Sequence, residues 1–143
     1  MAGYAWFRMG DYARAIALLS PVTLNSPENI WAWNLLGESQ RLAKQPDRAA
    51  RTLERASSVG RGSFATFFLL GEAYRDAGRL YPAVKAYGEA VRLDPEFARG
   101  WFELGTAWLR MGEVTEARAC LEQLERLEPR LGEALKSRFP PGR

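Results

Sequence analysis

Residues 64–95 read FATFFLLGEAYRDAGRLYPAVKAYGEAVRLDP, two helical patterns joined at a glycine. In the first half, Phe64, Phe67, Phe68, Leu70 and Tyr74 follow helical spacing and make one apolar face. Gly71 lies inside that helix, where glycine costs about 1 kcal/mol relative to alanine. Such a residue needs a packing reason, and the one expected is a neighbouring helix crossing close to its backbone. Gly78 ends the first helix. Pro82 fits the first turn of the next, where its missing N–H is harmless. The second helix carries Ala83, Ala86, Tyr87, Ala90 and Leu93 on its inner side, and Asp94-Pro95 breaks the run.

The same phrase recurs outward in both directions. Gly3, Gly37, Gly71 and Gly105 stand 34 residues apart. Trp33-x2-Leu36-Gly37, Phe67-x2-Leu70-Gly71 and Trp101-x2-Leu104-Gly105 share one register. Ala49, Ala83 and Ala117 each lie 12 residues past their glycine. A hairpin of this kind cannot bury its own apolar face, but stacked copies can. The pattern resembles the tetratricopeptide repeat (TPR). That resemblance implies an all-α fold, a right-handed superhelical array of antiparallel helix hairpins (an α-solenoid). It predicts one array over residues 1–143: a partial repeat over 1–29, repeats over 30–63, 64–97 and 98–131, and a short C-terminal capping helix and tail over 132–143.

Departures from the phrase carry their own expectations. The first repeat is incomplete, with Met1 already inside its first helix and Trp6 at the usual aromatic position. Its uncapped edge, with Tyr4, Trp6 and Phe7, asks for a cover: further chain or a partner. Pro21 falls within the last turns of its second helix and is expected to shorten or kink it. Gln40 replaces the usual aromatic in the second repeat, and Arg61 replaces the inter-repeat proline. The junction VGRGS at 59–63 is therefore read as the softest joint in the chain. After Pro129, the residues Leu131, Ala134, Leu135 and Phe139 are expected to form a short amphipathic helix over the open end.

Composition narrows the function. The chain has no histidine and one cysteine, Cys120, which excludes His-based acid–base catalysis, Ser-His triads and a His- or Cys-based structural zinc site. No glycine-rich phosphate loop or nucleophile–base constellation stands in the sequence. No cofactor is expected. The net charge of +3 is dispersed, which argues against nucleic acid as a partner. No apolar run is long enough to cross a bilayer. With no export signal visible, the cytoplasm is the expected compartment.

The resemblance implies that first helices line a concave groove. In register, that face carries Trp31, Asn34, Leu35, Glu38 and Arg41, then Ala65, Phe68, Leu69, Glu72 and Arg75, then Arg99, Phe102, Glu103, Thr106 and Arg110. Trp31, Phe68 and Phe102 are the expected apolar anchors for a partner peptide or helix, with Arg75 and Arg99 orienting an acidic or carbonyl-rich segment. Glu38–Arg41 and Glu72–Arg75 are spaced to pair along one helix, as solvated pairs or as a charge ladder. Some relatives of the repeat grip the C-terminal carboxylate of heat-shock chaperones. Here Glu38 and Glu103 put negative charge at those positions and Leu69 offers no amide, which argues against that activity. The expected function is thus a non-catalytic protein-binding module or scaffold. The competing expectation is an assembly subunit that self-associates into a homo-oligomer through its N-terminal partial repeat.

Overall fold

The computed structural model describes residues 2–59 and 63–141. They form nine helices and no strand: α1 (Ala2–Arg8), α2 (Tyr12–Asn25), α3 (Ile30–Leu42), α4 (Pro46–Val59), α5 (Phe64–Asp76), α6 (Leu80–Leu93), α7 (Ala98–Arg110), α8 (Val114–Leu127) and α9 (Pro129–Lys136). Helices α1 to α8 pair into four hairpins, and the second helix of each packs on the first helix of the next. Helix α9 packs on both α7 and α8. The α3, α5 and α7 helices are each 13 residues long, and α2, α4, α6 and α8 are each 14.

Local chemistry sets these boundaries. The side chains of Asp11, Asn29 and Ser63 accept from the backbone N–H groups of Arg14, Ala32 and Thr66, satisfying open donors at the starts of α2, α3 and α5. Each hairpin turns through one left-handed residue. Gly10, Lys44, Gly78 and Gly112 have φ of 82°, 66°, 76° and 83°. The next residue's N–H then reaches back to the last turn of the helix: Asp11 to Trp6, Gln45 to Gln40, Arg79 to Tyr74 and Glu113 to Trp108.

The mid-helix glycines have the packing role expected of them. A Cβ on Gly3 would lie 2.8 Å from Leu19 Cγ, on Gly37 2.5 Å from Leu53 Cγ, and on Gly71 2.6 Å from the Tyr87 ring. Each partner sits on the second helix of the same hairpin, four residues past an alanine. Those alanines, Ala15, Ala49 and Ala83, are fully buried, as is Ala117. In the fourth hairpin the nearest side chain to Gly105 is instead Leu135 of α9, at 2.7 Å. Two of the large residues before the Leu-Gly pairs, both tryptophans, have a second task. The indole N–H groups of Trp33 and Trp101 donate to the carbonyls of Pro27 and Pro95, both at 2.8 Å. They tie each first helix to the loop that precedes it.

Three expectations about local structure need comment. Pro21 does not shorten α2, which has the same 14 residues as its counterparts. Pro21 and Ala17 both lie on the exposed face, so the carbonyl that loses its helical donor faces water rather than the core. The capping helix starts at Pro129 rather than after Leu131, with proline at its first position. Its inner side is therefore Gly132 and Leu135, while Ala134 is exposed. Of the soft joint expected at 59–63, residues 60–62 lie outside the described residues, and the flanking helices α4 and α5 pack together.

Candidate interaction face

The first helices carry the expected groove residues, but in unequal situations. Trp31, on α3, is 46% exposed, and its ring lies 5.9 Å from that of Tyr4 on α1. It edges a depression of about 180 Å³ lined by Trp31, Asn34, Leu35, Glu38 and Leu69. Asn34 already has work there: its Oδ1 accepts from Thr66 Oγ1 at 2.8 Å, which ties α3 to α5. Phe68 is half-buried and packs edge-on against Phe97 at 4.9 Å, with Tyr87 at 5.7 Å. Phe102 is also half-buried, with the Arg138 guanidinium 4.9 Å from its ring centroid. Of the three expected aromatic anchors, Trp31 is the most open to solvent.

The charged residues form one connected network across three helices. Arg41 Nη2 donates to Glu38 at 2.6 Å, and Arg41 Nη1 donates to Asp76 at 2.8 Å, joining α3 to α5. Arg75 pairs with Glu72 at 2.8 Å, Asp76 at 3.0 Å and Glu103 at 2.8 Å, joining α5 to α7. Arg99 reaches Glu103 from the other side at 3.4 Å. Glu72 and Glu103 are only 5% and 7% exposed, so the simple solvated pairs of the first reading hold poorly for this half of the network. Arg75 is committed to three carboxylates and is not free to orient a ligand. Arg110 lies one residue past the register of Arg41 and Arg75, where Leu109 stands; it is exposed and forms no ion pair among the described residues.

Burial and partners move the protonation equilibria in opposite directions. Burial dominates at Glu72 and raises its carboxyl above the ordinary range, against the hydrogen bond donated by Tyr87 and the charge of Arg75. Tyr87 donates to Glu72 at 2.7 Å, and its own hydroxyl is pushed upward by burial and by the Glu72 charge. At Asp76, burial works upward, but hydrogen bonds from Arg41 and Arg75 outweigh it and hold the carboxyl low. On the opposite side of α5, burial and a hydrogen bond to Glu54 of α4 push the Tyr74 hydroxyl up to about 12. Burial alone pushes the Cys120 thiol up to about 12, so it is a small core residue and not a thiolate nucleophile.

Asp76, Tyr87 and Arg138 take part in this face but escape the sequence reading. Asp76 has no counterpart in the register, where Leu42 and Arg110 stand. Arg138 lies beyond the last repeat. The one available signal was Tyr87, a hydroxyl at a position that must be buried and must therefore find an acceptor.

The repeats are matched by three family models, one described as TPR repeat over residues 71–112 and two as tetratricopeptide repeat over 7–65 and 98–131. The chain is similar to the TPR repeat-containing thioredoxin TTL4 of Arabidopsis thaliana, 33% identical over 117 residues, covering 82% of the chain and 12% of that protein. It is also similar to tetratricopeptide repeat protein 33 of Xenopus laevis, 28% identical over 110 residues, covering 75% of the chain and 42% of that protein. The chain spans between 7% and 42% of the length of the curated relatives it matches. Among solved structures, a crystal structure of MamA superposes with a TM-score of 0.84 at 22% identity, covering 95% of this chain and 86% of that one. A MamA structure from Desulfovibrio magneticus RS-1 gives a TM-score of 0.81 at 28% identity, covering 89% and 72%. The matched repeats, their common register and the stacked hairpins agree: the chain belongs to the tetratricopeptide repeat family and is built as a protein-interaction scaffold.

Proposed function

We propose that this array is a non-catalytic module that receives a peptide or helix of a partner protein along the groove of its first helices. The observation that carries the reading is Trp31. A tryptophan nearly half exposed, backed by Tyr4 and set beside a depression walled by Leu35 and Leu69, is the kind of anchor that dominates binding energy at interfaces. The carboxylates of the face are engaged in ion pairs or buried, which supports a binding role over a catalytic one. Among the described residues no group of three His, Cys, Asp or Glu side chains is arranged to hold a metal ion, and no helix is long and apolar enough to cross a membrane. The test is Trp31→Ala in a cross-linking pull-down from the source cell. Loss of partners cross-linked near α3 supports the reading. Undiminished partners, cross-linked at Arg51, Arg55, Lys85 and Arg118 on the second helices, move the binding surface to the opposite side.

A second reading rests on a separate observation. The first hairpin exposes Met9, Leu18 and Leu24 at 73%, 43% and 77%. Such a surface suits another copy of the chain, making the protein an assembly subunit. Light scattering on the purified chain tests this. A dimer that Leu18→Glu with Leu24→Glu converts to monomer supports it, and a monomer at all concentrations removes it.

A further inference from the structure

We propose that the end of the groove formed by α7 and the segment after α9 is an acid-reading corner, which takes the Asp or Glu side chains of the docked peptide and so fixes its direction along the array. The proposal rests on the groove reading and deepens it. The α7 stripe carries Arg99, Phe102, Glu103, Thr106 and Arg110 at helical spacing on one face. Arg138 joins them from beyond α9, lying 4.9 Å from the Phe102 centroid with Nη1 3.4 Å from Thr106 Oγ1.

Charge is sorted by depth at this corner. The acid of the α7 stripe, Glu103, is 7% exposed and already held by Arg75 at 2.8 Å. The cations lie outside it: the Arg99 side chain is 60% exposed, and Arg110 and Arg138 are exposed. An approaching chain therefore meets guanidinium groups around a half-buried phenyl ring, with the compensating carboxylate behind them. Arginine presents paired N–H donors that fit a carboxylate, and stacking on Phe102 holds one such fork in place. The opposite end of the same face is richer in apolar surface: Tyr4, Trp31, Leu35 and Leu69 stand about a depression that Asn34 and Glu38 also line, with Arg8 against the Tyr4 ring. The complementary occupant is a protein segment with an apolar residue at the Trp31 end and acidic residues at the Phe102 end. This assignment replaces Arg75 by Arg138 as the orienting cation, because Arg75 is already shared among three carboxylates.

The experiment is selection of peptides from a random display library on the immobilised full chain. Synthetic copies of the winners are then measured by fluorescence polarisation. The expected winners place Asp or Glu at one end and Leu, Phe or Trp at the other. Their affinity should fall at least about tenfold in Arg99→Gln with Arg138→Gln, and fall with added salt. Circular dichroism and the thermal midpoint of the double variant should match the parent, since both side chains are exposed. Winners that need Trp31 but ignore the arginines overturn this inference and leave the groove reading standing. Winners that ignore both, or no winners at all, overturn both. A single-stranded RNA oligonucleotide that binds more tightly than the winners and depends on the same arginines also overturns the proposal, since the corner then reads phosphate.

Discussion

The α3–α4 and α5–α6 hairpins occupy the same register and solve the same packing problem with different residues. Opposite the mid-helix glycine, the first uses Leu53 and the second uses Tyr87. Leucine asks nothing more of its surroundings. Tyrosine carries a hydroxyl into a fully buried site, and Glu72 accepts from it at 2.7 Å. Glu72 is then itself buried and needs a cation, which Arg75 supplies while also reaching Glu103 on α7. In the α3–α4 hairpin the equivalent Glu38 stays 17% exposed and pairs with Arg41. One exchange of leucine for tyrosine thus accompanies deeper burial of the acid that pairs with the arginine. The reverse exchange occurs one turn away. Gln40 replaces the aromatic, and its Oε1 accepts from the buried Thr52 hydroxyl at 2.6 Å, where the next hairpin has Tyr74 and Ala86. The register dictates position, while polar partners are settled pair by pair.

The sharpest break in this comparison is the central cation. Arg75→Ala removes the nearest cation from two buried carboxylates, leaving Glu72 only the Tyr87 hydroxyl and Glu103 only the longer Arg99 contact, and should cost about 3 kcal/mol, whereas Arg41→Ala, with better-solvated partners, should cost about 1 kcal/mol. Urea denaturation of both variants measures the difference, and equal losses would show that burial depth does not set it. The glycines come next. Gly71→Ala drives a methyl into a tyrosine ring pinned by its hydrogen bond, and should cost about 2 kcal/mol after the gain in helix propensity. At Gly37→Ala the neighbour is Leu53, which can change rotamer, so the cost should be about 1 kcal/mol. A thermal midpoint raised by Gly71→Ala would refute the close approach.

Acid titration separates the two carboxylates of the network. Asp76 is held below its ordinary value of 3.8, so its contribution is present above that pH and lost as pH falls through the folded value. Glu72 is raised above 4.5, so its contribution is fully present below that pH and lost as pH rises through the folded value. Asp76→Asn should therefore flatten the loss of stability on the acid side, which unfolding midpoints taken at successive pH values will read. An acid limb as steep as the parent's would place the linkage elsewhere. The smallest expected effect is a gain. Lys44 holds the left-handed turn position that three glycines hold in the other hairpins, and Lys44→Gly should stabilise by about 0.5–1 kcal/mol. A variant less stable than the parent would mean that the lysine side chain contributes more than its backbone strain costs.

The repeat register was legible because it is a one-dimensional signal. Each hairpin contacts only its neighbours, so the same demands recur every 34 residues: a glycine under a large side chain, an alanine at the closest approach, and a left-handed turn. From residues alone this fixed the helices, the inner residues and the face on which Trp31 stands. Tertiary structure decided what remained free on that face. Arg75 and Arg41 look identical in sequence, yet Asp76 bridges the two while Glu103 pairs with Arg75 and not with Arg41. Phe68 looks like an anchor until Phe97 and Tyr87 pack against it. Arg138 lies outside every repeat until the chain turns after α9 and brings it to Phe102. The physical reason is the same in each case. Periodicity encodes what a residue must do for its own hairpin, whereas exposure and ion pairing depend on positions where neighbouring repeats differ and on segments outside the helices.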